Sequence, residues 1–124
     1  MLKGVKFTLF TVASAAAVFS FAFFATQSWA AGDAAKGEKI FKANCVVCHG
    51  EKGNGQGPAA AGMTPSPRNF TSATEMKGID EARLHKSITE GRPGTPMVSF
   101  AKTLKAGDID DVIAYIEKFG GYKK

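Results

Sequence analysis

Cysteine and histidine are scarce in this chain, two of each in 124 residues, and the scarcity excludes several kinds of site. A structural zinc site takes four Cys or His ligands as a rule. Here Cys45, Cys48 and His49 leave only His85 for the fourth place, with no third cysteine to help. The glycine-rich stretch from Glu51 to Pro58 is followed by no Gly-Lys-Ser/Thr and preceded by no strand pattern, so it does not suit a phosphate loop. No nucleophile is paired with a base in a way that suggests catalysis. The formal net charge of +5 is too mild for a nucleic-acid footprint.

Charge is also missing from a particular place: nothing charged stands between Lys6 and Asp33. Lys3 and Lys6 precede an apolar run through Leu9, Val12, Val18, Phe19 and Phe24, and Ser28-Trp29-Ala30 ends it in a small-x-small pattern. Residues 1–30 therefore read as a secretory signal peptide cut after Ala30, with an uncleaved membrane anchor as the alternative. Removing them leaves residues 31–124 as one small domain of net charge +3, exported to the periplasm and with no stable membrane insertion once cleaved. Six of the ten Phe and the only Trp go with the leader. The remaining domain is thus short of large apolar side chains, and a domain of this size usually needs a staple.

Cys45-Val46-Val47-Cys48-His49 supplies one. On a helix Cys45, Cys48 and His49 fall at i, i+3 and i+4, on one face. Two thiols can then add to the two vinyl groups of a porphyrin while the imidazole reaches the iron, the usual meaning of C-x-x-C-H as a c-type haem attachment. A thioredoxin-like dithiol would need a strand-helix-strand context, and a structural disulfide would leave His49 unexplained. Those thiol chemistries stand as the alternatives to one covalent haem c.

The rest of the domain reads as helices and Gly/Pro loops, an all-α chain. Asp33 is placed to cap a first helix through Phe41, with Gly37 and Phe41 sharing a face where a second helix can approach closely. Asp80 caps a helix over Glu81 to Glu90, with Ile79 and Leu84 spaced as a hydrophobic staple and Gly91 as the stop. Ile109, Val112, Ile113, Ile116 and Phe119 form the apolar stripe of a last helix, with Asp108, Asp110 and Asp111 in its first turn, Lys118 in its last, and Gly120 and Gly121 after it. Tyr115 lies just off the stripe, within reach of Phe41.

An electron-transfer haem needs a second strong axial ligand, and the candidates are Met63, Met76, Met97 and His85. Met97 is preferred because Pro93 and Pro96 stiffen the segment that presents it. Core filling is expected of Met63 and Met76, and an exposed position of His85. A neutral thioether favours the ferrous state, so a His49/Met97 pair implies a relatively high potential.

Gly37, Phe41, the C-x-x-C-H motif, Gly57-Pro58, Gly94-Thr95-Pro96-Met97 and Tyr115 together resemble the small bacterial class I monohaem cytochromes c. The resemblance covers nearly all of residues 31–124. It implies the class I cytochrome c fold, three or more helices around one covalent haem, with the terminal helices crossing near Gly37 and Tyr115. By position it also implies that the Pro58 carbonyl accepts a hydrogen bond from the free ring nitrogen of His49. The loop Ala59 to Arg68 departs from the family pattern, so a propionate contact from Arg68 or Asn69 stays open against plain solvation.

The function expected is a soluble, monomeric periplasmic electron carrier serving unidentified redox partner proteins, not an enzyme. Lys42, Lys52, Lys102 and Lys105 are either steering charges near the haem edge or ordinary solubilising ones. The alternatives are a haem subunit of a larger membrane respiratory complex and a gas-binding or peroxidatic haem protein.

Overall fold

The structure, a computed structural model, describes residues 31–122. The leader expected over residues 1–30 lies outside them. Within them the chain forms α1 (Ala34–Asn44), α2 (Val46–His49), α3 (Glu81–Glu90) and α4 (Ala106–Ile116), continued by a 3-10 turn (Glu117–Phe119). No strand occurs among the described residues, as the patterning predicts.

Asp33 caps α1: its carboxylate accepts from the N–H groups of Ala35 at 2.9 Å and Lys36 at 3.2 Å, two of the donors that a helix start leaves unpaired. Its own N–H donates to Asp111 Oδ1 at 2.6 Å, which pins the start of α1 onto α4. One turn later Gly37 is buried against the α4 backbone, where a Cβ would lie 1.9 Å from the Asp111 carbonyl oxygen. Only glycine lets the two backbones approach so closely. Phe41 follows one more turn along and is fully buried, as is Val112. Its ring packs on Tyr115 (5.4 Å between centroids) and Phe119 (5.3 Å), in tilted geometries that suit aromatic quadrupoles. The crossing of the terminal helices is therefore as expected, centred on Gly37 and Asp111 with Tyr115 one turn beyond.

Asp80 caps α3 by accepting the Arg83 N–H at 2.7 Å, and Leu84 and Ile88 form the buried face. Gly91 ends the helix with φ +74°, in the left-handed region. The last helix differs from expectation at both ends. It starts at Ala106, so of the three aspartates only Asp108 lies in the first turn, where it accepts the Lys105 N–H at 2.9 Å. Asp110 and Asp111 stand further along and have other partners. Regular α geometry stops at Ile116, and Lys118 lies in the 3-10 turn that Gly120 ends with φ +83°.

Between α2 and α3 runs a long segment without regular structure, ordered by its hydrogen bonds to α2. Gly55, Gly57 and Ala59 donate to the carbonyls of His49 (2.8 Å), Cys48 (3.0 Å) and Val47 (2.9 Å), the groups a helix end leaves free. Gly57 is required by this approach, since a Cβ there would lie 2.4 Å from the Val46 carbonyl oxygen. Phe70, further along, joins the core through a stack on Phe119 and an edge contact with Phe41. Its backbone bridges Gly53 (2.7 Å) and Gly121 (3.0 Å), which ties the loop to the C-terminal end of the fold.

Candidate functional site

The helix breaks briefly at Cys45, yet its hydrogen bonding carries through. Cys45 N–H donates to the Phe41 carbonyl at 2.8 Å and His49 N–H to the Cys45 carbonyl at 2.8 Å, which keeps Cys45, Cys48 and His49 on consecutive helical turns. All three line a cavity of about 320 Å³. Both thiols are free and half-buried, with no disulfide between them. Burial pushes the Cys45 thiol up to about 12. Among the described residues no group of three or more His, Cys, Asp or Glu side chains converges to hold a bare metal ion.

His49 is held below its ordinary pKa by burial, against a smaller upward pull from a backbone hydrogen bond. Its Nδ1 lies 3.1 Å from the Arg68 carbonyl oxygen. A carbonyl only accepts, so Nδ1 carries the proton, and in the neutral ring Nε2 keeps its lone pair for a metal. The Pro58 carbonyl expected in this role is therefore replaced by that of Arg68. The reason is geometric: the His49 ring stacks on Phe70, with centroids 4.6 Å apart and planes 18° apart, and this turns Nδ1 toward residues just before Phe70. Pro58 instead sits on the exposed outer side of a loop whose N–H groups serve the end of α2.

Met97 lines the same cavity, half-buried, on the segment that returns from α3. Met76 is a core residue, buried as expected. Met63 is not: it lies on the cavity wall, a second thioether beside the site. His85 is not exposed either. Its side chain is 19% exposed, with Nε2 3.9 Å from Asp110 Oδ1 on α4, and it is absent from the cavity lining.

The remaining walls are largely apolar, with Phe70, Ile79, Leu84, Ile88, Phe100 and Ile116 among them. Arg68, Arg83 and Arg92 bring the cations. Sequence reasoning missed Arg83 and Arg92, although Arg83 stands one residue before the inward-facing Leu84. Lys42, Lys52, Lys102 and Lys105 do not line the cavity, and Lys42 is paired with Glu38 at 2.7 Å. Two thiols, an imidazole with a free nitrogen, thioethers, apolar walls and guanidinium groups fit a large apolar macrocycle that carries iron and carboxylates. They fit poorly with a small polar ligand.

Residues 34–119 match the family model described as cytochrome c. The chain is 40% identical over 91 residues to the cbb3-type cytochrome c oxidase subunit FixP of Bradyrhizobium diazoefficiens, covering 73% of this chain and 29% of that protein. It thus spans less than a third of the oxidase subunit's length. It is also 40% identical over 88 residues to cytochrome c-554(547) of Halothiobacillus neapolitanus, covering 69% of this chain and 96% of that one. Among solved structures, cytochrome c6 of the diatom Phaeodactylum tricornutum superposes with a TM-score of 0.55 at 26% identity, covering 73% of this chain and all of that one. With the helix crossing, the all-α fold and the cysteine pair in agreement with these matches, the chain belongs to the cytochrome c family, whose members carry covalently attached haem c and transfer electrons.

Proposed function

We propose that this protein is a one-electron carrier of the periplasm, with haem c joined to Cys45 and Cys48 and its iron ligated by His49 and Met97. The observation that carries this is the convergence of both thiols, the imidazole and the Met97 side chain on one cavity, although Met97 is remote from the motif in sequence. When bound, the haem iron takes up and releases one electron. The chain's own groups serve that exchange in separate ways. The Arg68 carbonyl orients the His49 ring and raises its basicity. The apolar walls exclude water, which keeps reorganisation small, and the guanidinium groups of Arg68, Arg83 and Arg92 are available to balance carboxylates.

A soluble carrier is favoured over a fixed subunit because the match to cytochrome c-554(547) spans almost that whole protein. The similarity to FixP supports the second reading, a haem subunit or domain working beside a terminal oxidase. No helix among the described residues is long and apolar enough to cross a membrane. The basic start and apolar run of residues 1–30 support export. Redox partners, a donor and an acceptor, follow from either reading.

The test is absorption spectroscopy of the matured protein and its methionine variants. Met97→Ala is expected to lose the methionine-to-iron charge-transfer band and to bind carbon monoxide when reduced, while Met63→Ala and Met76→Ala keep the band. A band unchanged in Met97→Ala, or lost in Met63→Ala, overturns the ligand assignment.

A further inference from the structure

Met97 is presented by a short return loop whose hydrogen bonds form a closed circuit. Arg92 N–H donates to the Met97 carbonyl at 2.9 Å. Met97 N–H in turn donates to Thr95 Oγ1 at 3.2 Å, and Thr95 Oγ1–H donates to the Arg92 carbonyl at 2.8 Å. Thr95 N–H reaches the same Arg92 carbonyl at 3.1 Å. The hydroxyl of Thr95 is thus the one side-chain member of a ring that otherwise consists of backbone. Both polar groups of the Met97 backbone are engaged in it.

The neighbours leave this circuit little room to shift. Gly94 makes the turn with φ +77°, and Pro96 has no N–H to offer in place of the one on Met97. Behind the loop, a Cβ at Gly91 would lie 2.8 Å from the Met97 carbonyl oxygen. Beyond it Phe100 N–H is bonded to the Ile88 carbonyl at 2.9 Å and Ser99 Oγ donates to the Thr89 carbonyl at 2.5 Å, both on α3. The loop is anchored at each end, and Thr95 closes its middle.

We infer that Thr95 is a positioning residue: its hydroxyl latches the Met97 backbone and so sets how readily the thioether leaves the iron. This rests on the assignment of Met97 as a ligand. Valine at position 95 keeps the shape of threonine while removing one acceptor and one donor, and serine keeps both. A neutral hydrogen bond corresponds to roughly a fivefold change in an equilibrium constant.

The experiment compares haem-loaded wild type, Thr95→Val, Thr95→Ser and Ser99→Ala by the methionine-to-iron band and by carbon monoxide binding to the reduced protein. Thr95→Val is expected to weaken the band and tighten carbon monoxide binding by about five- to tenfold. Thr95→Ser should match wild type, and Ser99→Ala, which removes one end tether of the loop but no member of the circuit, should change the band less than Thr95→Val. A wild-type band and carbon monoxide affinity in Thr95→Val overturn the latch, as does a Thr95→Ser variant that behaves like Thr95→Val. Absence of the band from the wild type overturns the ligand assignment, and the latch with it. A measurement that needs no variant is amide hydrogen exchange in the wild type, where the Met97 N–H is expected to exchange more slowly than that of Val98. Equal rates overturn the latch as well.

Discussion

Gly37 on α1 and Asp111 on α4 meet backbone to backbone, with only 1.9 Å between the Asp111 carbonyl oxygen and the place a Gly37 side chain would begin. Neither partner is a flexible side-chain tip, so the helices themselves would have to separate. Gly37→Ala is expected to cost about 1–3 kcal/mol or more despite the better helix propensity of alanine. Chemical denaturation checks this. A stabilised variant would mean that the two helices can part freely.

Phe41 lies under the same crossing with no exposed surface, enclosed by Phe70, Tyr115 and Phe119. Truncation to alanine removes the hub of this aromatic group and should lower stability by about 3–5 kcal/mol. Phe41→Leu should lose less. A Phe41→Leu variant as stable as the wild type would show that aromatic packing at this point adds nothing beyond bulk.

Asp33 is held below its ordinary pKa, first by the Lys36 N–H and then by that of Ala35. A carboxyl depressed by folding stabilises the fold above its unfolded pKa and ceases to do so as pH falls through its folded one. Asp33→Ala should therefore lower the melting temperature at pH 7, and the gap to wild type should narrow as the solution is acidified below the ordinary carboxylate range. A gap that is constant across that range would assign the loss to something other than the ionised cap.

Arg83 lines the cavity with no side-chain hydrogen bond among the described residues, whereas the Arg68 guanidinium is tied to the Glu75 carbonyl and that of Arg92 to Ser87 Oγ. Replacing it by glutamine should remove a positive charge and little structure. Positive charge near the iron favours the reduced form, so Arg83→Gln should lower the reduction potential by an amount on the order of tens of millivolts, less at high salt. Potentiometric titration at two ionic strengths reads the effect. An unchanged or raised potential at low salt rules the contribution out.

Much of this arrangement was legible where one residue type has one local meaning. Asp33 and Asp80 cap helices because a short carboxylate after a loop does so almost anywhere, and the stripe from Ile109 to Ile116 faces the core because its period leaves no other option. The C-x-x-C-H motif is local too. What escaped was set by contacts across the loops. Phe70 stands in a stretch with no periodicity, so nothing nearby marks it as a core residue or as the ring that orients His49. The exchange of Pro58 for Arg68 follows from that stack. Met63 and His85 depend likewise on how the long loop and the α3–α4 contact close, and their own neighbours in sequence say nothing of either.

The two helices that make the central crossing also stand at opposite ends of the domain, and this imposes an order of events. A chain is made from its N-terminus, so Phe41, Cys45 and Cys48 exist well before Val112 and Ile116. Until α4 and the turn after it have been added, the Phe41 ring has Phe70 but lacks Tyr115 and Phe119, and the cavity lacks Ile116 from its walls. The core on which Cys45 rests is therefore complete only once α4 is in place. During the interval the two sulfurs belong to an open chain, within reach of a large macrocycle from the side that the final helix later closes when it docks.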